Sequence, residues 1–117
     1  MTNNIYWTIN ATVKEGRLAG LKEHFKLMIE MTSKEAGALS YDFWLSEDEA
    51  RVFIHERYAD NDAALAHVQN VGEHLGPFLD AVEMDPIVIL GPVNDEVKGV
   101  FAAFGASYTT FLGGLNR

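Results

Sequence analysis

The stretch LSYDFWLSEDEARVFIHERY, from Leu39 to Tyr58, carries two runs of aromatic and β-branched residues separated by a short polar link. Such runs predict strands over 39–46 and 51–58, and the link EDEA has the length of a hairpin loop. The centre of the chain is therefore predicted to be an antiparallel β-hairpin.

Helices are predicted on both sides of this hairpin. Before it, apolar residues recur at helical spacing between residues 17 and 34, and Gly37 is the predicted end of that helix. After it, Asp60 can cap a helix that covers Ala63 to Val68, and Gly72 can interrupt that helix before a second piece from Leu75 to Val82.

Two outer strands complete the pattern. IYWTINATV, residues 5–13, alternates with a period of two, and IVILG, residues 87–91, follows Pro86 as a short apolar run. The order β-α-β-β-α-β is typical of an α+β, ferredoxin-like antiparallel sheet with helices on one face. We therefore predict that fold for residues 1–93.

Both faces of the predicted sheet carry bulky apolar side chains. Trp7 alternates with Tyr6 on the first strand, and Phe43 alternates with Trp44 on the second. Helices cover only one face of such a sheet, so the other face needs a cover too. A second copy of the chain supplies it most economically, which predicts a homodimer with the two sheets packed face to face.

Composition excludes several classes of function. The 117 residues are enough for one domain, and they include no cysteine, which excludes disulfides and thiolate chemistry. The net charge of −8, without a basic patch, argues against nucleic acid as a partner. No apolar run is long enough to span a membrane and the first residues lack a secretory-signal pattern, so we expect no membrane partner and a cytoplasmic location.

Three segments together carry a resemblance to a known family. They are VKEGRLAGLKEHFKLM from residue 13, EAGALSYDFWLSED from residue 35, and VFIHERYADNDAALAHVQNVGEHLGPF from residue 52. The chain resembles the antibiotic biosynthesis monooxygenase superfamily, in particular its quinol monooxygenase-like branch, over roughly residues 5–90. The resemblance implies a dimeric α+β barrel with a pocket between sheet and helices in each subunit.

The resemblance also implies an activity. Relatives oxidise quinols or anthrone-like phenolics with O₂ and use neither metal nor flavin, so we expect a cofactor-independent monooxygenase acting on a small aromatic substrate. Two alternatives stay open, namely a non-enzymatic module that binds a small aromatic ligand, and a haem-degrading relative. The haem-degrading branch uses a first-strand Asn, a third-strand Trp and a helix His. Tyr58 replaces that Trp and Asn10 lies only near the first position, which argues against haem.

Candidate site residues follow from the same match. It aligns Glu56 and Tyr58 with the end of the family's third strand, and His67 and His74 with its helix histidines. His67 is the predicted general base on a phenolic proton, with Tyr58 or Asn10 as donor to the resulting anion. The alternatives are a hydrogen bond at the dimer interface for His67 and, for Glu56, a structural salt bridge with a neighbouring arginine.

Aromatic and polar side chains are predicted to bind the substrate, although aromatic strand residues are more often plain core. His24, among charged residues of the first helix, is instead predicted to be solvated. The predicted substrate-binding residues are Trp7, Phe43, Trp44, Glu56 and His74, with Phe104 and Tyr108 from the C-terminal extension.

The extension, residues 94–117, begins with a cap at Asn94 or Asp95 and continues as a short amphipathic helix that ends at Gly105. It packs on the domain or on the dimer partner in one interpretation, as a layer of core or a strap. In the other, Phe104, Tyr108 or Phe111 forms a lid over the pocket near His67.

Overall fold

The computed structural model describes residues 2–117. Six strands and four helices follow one another, and two short 3₁₀ turns, Gly72–His74 and Ala102–Phe104, extend helix ends. In chain order the elements are β1 (Ile5–Val13), α1 (Leu18–Thr32), β2 (Ala38–Leu45), β3 (Arg51–Tyr58), α2 (Asn61–Val71), α3 (Leu75–Ala81), β4 (Val82–Met84), β5 (Val88–Leu90), α4 (Asp95–Phe101) and β6 (Ser107–Tyr108).

The strands form one sheet in the order β2-β3-β1-β5-β6, with β4 also paired to β1. All pairs are antiparallel except β5 with β6. Trp7 lies opposite Glu56 of β3 and Ile89 of β5, so these three side chains share one face of the sheet. The predicted ferredoxin-like α+β fold is confirmed.

Several predicted helix signals are present in the structure. The Asp60 carboxylate accepts a hydrogen bond from the Ala63 amide at 2.9 Å and caps α2, and the chain changes to a 3₁₀ turn at Gly72. α1 ends at Thr32 rather than at Gly37, because hydrogen-bonded turns over Lys34 and Glu35 replace the last predicted turn.

The last predicted strand is present as β5, and a short strand that was not predicted, β4, precedes it. Val82 belongs to β4 rather than to α3, and it pairs with Val13 near one end of β1. β5 pairs with the other end of the same strand, where Leu90 lies opposite Tyr6. Pro86 lies between β4 and β5 and has no amide hydrogen to donate to β1, so the ladder is interrupted there.

The core lies between the sheet and the helices and consists of two clusters. The first contains Ile5, Trp7, Tyr58, Ala64, Ile87, Ile89, Val97 and Phe101. The second contains Ala11, Leu21, Val52, Ile54, Phe78, Ala81 and Val82. Inward-facing residues of β1 and β3 contribute to both clusters, so the central strands hold the two halves of the core together.

The opposite face of the sheet is apolar and uncovered in the single chain. Trp44 is 64% exposed there, Val88 and Leu90 are also exposed, and Tyr6 and Phe53 are half-buried. An exposed apolar surface of this kind marks an interaction site. The apolar second face expected from the alternation in the sequence is therefore present, and the homodimer that would cover it stays a prediction.

The C-terminal extension contributes a layer of core before it becomes exposed. Asn94 accepts a hydrogen bond from the Val97 amide and caps α4, and Phe101 packs edge-on against Trp7 at 4.8 Å between ring centroids. Gly105 ends the following 3₁₀ turn at a φ of 61°, which favours glycine. Beyond β6 the side chains, including Leu112, are exposed. Within residues 2–117 no helix is long and apolar enough to cross a membrane.

Candidate functional site

A cavity of about 70 Å³ lies between the two core clusters, bounded by the sheet on one side and by α1, α2 and α3 on the other. Its wall is almost entirely apolar, with Phe25, Met28, Phe43, Phe78, Met84 and Phe104 among the lining residues. A few polar side chains interrupt this wall, and His67 and Glu56 are two of them. Such a combination is typical of a small-molecule site.

His67 lies on the face of α2 that packs against the sheet and is 4% exposed. Its Nδ1 lies 3.2 and 3.1 Å from the two carboxylate oxygens of Glu35. Its Nε2 lies 3.4 Å from Oε1 of Glu56. The imidazole is therefore held between two carboxylates, one behind it and one at the cavity wall.

Glu56 and Tyr58 are two residues apart on β3, so both side chains point toward the helices. The Tyr58 hydroxyl donates a hydrogen bond to Oε1 of Glu56 at 2.6 Å. The Tyr58 ring is stacked on Trp7 at 4.8 Å and lies the same distance from the ring of His67. Glu56 is thus fixed by a hydroxyl that is itself immobilised by packing.

Glu35 comes from the turn that follows α1 and reaches His67 across the space between α1 and α2. Asn70, one turn after His67, donates to Oε2 of Glu35 at 2.8 Å and to the carbonyl of Met31 at 3.1 Å. The same loop contacts α2 at Gly37, where an added Cβ would lie 2.5 Å from the Cβ of Ala63. The position of Glu35 is therefore set by close packing as well as by hydrogen bonds.

The electrostatics of this cluster favour a protonated imidazole. Burial lowers the pKa of His67, but the hydrogen bond and charge of Glu56, together with Glu35, outweigh burial and raise the pKa above its usual value. Burial raises the pKa of Tyr41 and of Tyr58 far above the usual value, and the charge of Glu56 adds to that effect. Both phenols therefore stay neutral and act only as uncharged hydrogen-bonding groups.

The structure brings together part of the predicted site. His67, Glu56, Trp7, Phe43 and Phe104 all line the cavity. Tyr58 does not line the cavity, but its hydroxyl donates a hydrogen bond to Glu56, which does.

Four predicted residues lie elsewhere. Asn10 and Trp44 are on the uncovered face of the sheet, with parity opposite to the inward-facing residues. His74, in the 3₁₀ turn, and Tyr108, whose hydroxyl donates to the Lys98 carbonyl at 3.2 Å, are not in the cavity wall.

Three polar residues of the site were not identified from the sequence. Tyr41, in contact with the His67 ring at 5.1 Å, shares the parity of Phe43 and could have been found from the alternation of β2. Glu35 gave no signal, because its partner is 32 residues away. His24 was predicted to be solvated, whereas it is half-buried and lines the cavity.

Two further features define the site's chemistry. Glu56 has no arginine among its polar contacts in residues 2–117, because Arg51 pairs with Asp85 at 2.5 Å instead and Glu56 is held by His67 and Tyr58. The residues that the structure describes include no group of three or more His, Asp or Glu side chains placed to hold a metal ion.

Comparison with known proteins gives the family. The sequence profile of the family described as "Antibiotic biosynthesis monooxygenase" matches residues 5–83, whereas no curated protein matches the chain. Among solved structures, MupZ from Pseudomonas fluorescens is 23% identical with a TM-score of 0.89, over 100% of this chain and 91% of that one.

Two more distant structures share the fold. Rv0793 from Mycobacterium tuberculosis is 18% identical, with a TM-score of 0.64 over 79% of this chain and 97% of that one. A mutant of SnoaB, a cofactor-independent oxygenase from Streptomyces nogalater, is 11% identical, with a TM-score of 0.66 over 80% and 96% of the two chains. With the profile matched over more than half of its length, the chain belongs to the antibiotic biosynthesis monooxygenase family.

Proposed function

We propose that the protein is a cofactor-independent monooxygenase that oxidises a small aromatic quinol or phenol with O₂. One observation carries this proposal, namely the carboxylate-flanked histidine, His67, in the wall of an otherwise mainly apolar cavity. An apolar wall binds the aromatic ring, and a single base removes the one proton that must leave before the ring can react with O₂.

His67 is the proposed base, and its two nitrogens have different tasks. In the neutral tautomer, Nδ1–H donates to Glu35, so the lone pair of Nε2 is directed toward Glu56 and the cavity. The raised pKa makes this nitrogen a stronger base toward a phenol than an ordinary histidine. When Nε2 takes the phenolic proton, the carboxylate of Glu56 stabilises the imidazolium that forms.

The oxidation balances without an external reductant. The phenolate transfers an electron to O₂, and the resulting superoxide bonds to a ring carbon that is ortho or para to the oxygen and carries a hydrogen. Loss of that carbon's hydrogen and cleavage of the O–O bond then give a quinone carbonyl and one water. The substrate's own C–H and O–H bonds supply all the electrons, and the apolar wall keeps bulk water from the intermediates.

The cavity must enlarge to admit an aromatic ring. Its volume of about 70 Å³ is less than the about 150 Å³ of an engineered protein cavity that binds benzene. Met28 and Met84 in the wall are flexible enough to repack around a ligand. Of the three aromatic residues considered for the lid, only Phe104 is among the residues that line the cavity, beside Val100 and Phe101 of α4, so the proposed lid function rests on Phe104 rather than on Tyr108 or Phe111.

We propose that the uncovered face of the sheet forms a homodimer. Trp44, Val88 and Leu90 are exposed together with half-buried Tyr6 and Phe53, and an aromatic-rich apolar patch supports a two-fold interface. The cavity lies on the opposite side of the sheet, so pairing would leave access to the cavity open.

Oxygen uptake over a panel of quinols, naphthols and anthrones, with metal chelated, tests the function. We expect consumption with at least one compound and a loss of about 100-fold or more in His67→Gln, because general-base catalysis contributes 10²–10⁴-fold. Gln69→Ala, exposed on the same helix, is the matched control. Thermal melting of both variants verifies that each is folded.

Other results would replace the proposal. Tight binding without oxygen uptake would identify a ligand-binding module. A Soret shift on adding haem, followed by bleaching with a reductant, would identify a haem-degrading enzyme. If His67→Gln consumes oxygen as fast as wild type, the protein is an oxygenase but His67 is not its base.

A further inference from the structure

The cavity wall contains a polar atom that the proposed reaction does not use. His24 lies near the end of the second turn of α1, and its Nε2 is buried without a hydrogen-bond partner among residues 2–117. Buried polar atoms in proteins nearly always have a partner, since an unpaired one costs free energy. Because the His24 side chain borders the cavity, a small rotation of its ring would let a polar group of a bound ligand supply the missing hydrogen bond to Nε2.

His24 also borders a second space on its other side. A groove of about 350 Å³ runs between the first half of α1 and α3, and we call it the α1–α3 groove. Its wall includes Gly16, Gly20, His24, Pro77 and Asp80. Because His24 lines both the cavity and the groove, its side chain lies where the two spaces adjoin.

The two spaces are unequal in size and in chemistry. The inner cavity is small and apolar apart from the His67 cluster, whereas the groove is larger and has Arg17 and Asp80 at its edge. His24 precedes the end of α1 by eight residues, which at 1.5 Å per residue is a distance of about 12 Å along the helix. Glu35, the partner of His67, follows that helix end. The two histidines therefore mark two well-separated points of one elongated site.

We propose that the α1–α3 groove is the outer half of the substrate site and that His24 hydrogen-bonds a second polar group of the substrate. The substrate is then an elongated aromatic compound with a phenolic hydroxyl at the inner end, near His67, and a hydroxyl or carbonyl that reaches His24. This inference rests on the proposed function only where it places the phenolic hydroxyl of the substrate near His67. Its test measures binding and not oxygen consumption.

A matched pair of ligands tests the contact with His24. The compounds 4-phenylphenol and 4,4′-dihydroxybiphenyl have the same apolar body and differ by one hydroxyl at the far end. Under argon, calorimetry should show that wild type binds the dihydroxy compound about 3- to 10-fold more tightly, as one added hydrogen bond allows. His24→Leu should remove this preference, so that the two compounds bind with equal affinity whatever that affinity is, and His24→Gln should keep part of it.

A second pair of variants tests the groove. Gly20 lines the α1–α3 groove and an added Cβ there meets nothing within 4 Å, so the side chain in Gly20→Leu can enter the groove. The control is Gly76→Leu, on α3. An added Cβ is equally free there, and Gly76 lines neither the cavity nor the α1–α3 groove. We expect Gly20→Leu to weaken the binding of both compounds about 10-fold or more, and Gly76→Leu to bind like wild type.

The outcomes separate this inference from the proposed function. A preference for the dihydroxy compound that His24→Leu leaves unchanged, or full binding by Gly20→Leu, would overturn the inference even in an active oxygenase. If both compounds bind as expected but the protein consumes no oxygen, the inference of an elongated site is supported and the proposed monooxygenase activity is rejected. If neither compound binds to wild type, the inference is wrong, because its ligand class is then not accepted. Thermal melting of each variant confirms that a loss of binding is not a loss of fold.

Discussion

The two tryptophans of this chain lie on opposite faces of one sheet and have opposite environments. Trp7 is 3% exposed and packs between Tyr58 and Phe101, whereas Trp44 is 64% exposed and has no helix over it. Both belong to strands with the same alternating pattern. The comparison teaches that the helix-covered face supplies the core and the candidate site, while the other face is available for association.

The largest expected effect is a loss of stability when the tryptophan on the helix-covered face is removed. Trp7→Ala should lower the free energy of unfolding by about 3–5 kcal/mol, because it removes a large buried ring and leaves a void beside the cavity. Trp44→Ala should change the stability of the single chain by about 0.5 kcal/mol or less, as surface substitutions do. Urea unfolding at several protein concentrations measures both and separates the contribution of association. Equal losses in the two variants would contradict the assignment of the two faces.

An intermediate effect is expected on association. Trp44→Glu should raise the dissociation constant of the dimer about 30-fold or more, because it replaces an aromatic contact of about 2 kcal/mol and places a charge in an apolar interface. Sedimentation velocity at micromolar concentration measures it. Leu27→Glu is the control, since Leu27 is also an exposed apolar residue but lies on α1, on the other side of the sheet. A wild-type monomer, or a dimer indifferent to Trp44→Glu, would refute the proposed interface.

The smallest expected effect concerns the pH dependence of the covered face. The folded state raises the pKa of His67 above its unfolded value of about 6.5, so protonated His67 stabilises the fold. This stabilisation is fully present below pH about 6.5 and is lost as the pH rises through the folded pKa. The stability of wild type minus that of His67→Gln should therefore fall as the pH rises above about 6.5, as measured by urea unfolding.

The proposed activity should change in the opposite direction over the same interval, because the base must be neutral. Glu35→Gln removes one of the charges that raise the pKa of His67, so it should move the rise in activity to lower pH and reduce the pH dependence of stability. NMR titration of the His67 ring reports this shift without turnover. An unchanged titration in Glu35→Gln would exclude Glu35 as the residue that positions and charges His67.

The fold could be predicted because its signals are local. Alternation along β1 and β3, the Asp60 cap and the glycine at position 72 each act within a few residues. The short strand β4 was missed, because Val82 fits the helical spacing of the preceding apolar residues and was assigned to that helix. The same alternation would have placed Asn10 opposite in parity to Trp7, on the face without the cavity.

The site was only partly accessible from the sequence because it depends on distant pairs. The family resemblance pointed to His67 and Glu56, which the structure brings to one cavity. The contact of Glu35 with His67 joins a turn after α1 to the middle of α2, and nothing in either segment alone indicates it. The unpaired Nε2 of His24 is likewise a property of packing, since charged neighbours in the sequence predict a solvated side chain.

The contact between Gly37 and Ala63 has a consequence for how this protein can diverge. There is no room for a methyl group at residue 37 while residue 63 keeps its own, since the two would lie 2.5 Å apart. Alanine can therefore enter position 37 without a clash only if position 63 loses its methyl group, as in Gly37→Ala combined with Ala63→Gly. Because this contact lies between the Glu35 loop and the helix of His67, a side chain at position 37 alone would push Glu35 away from His67.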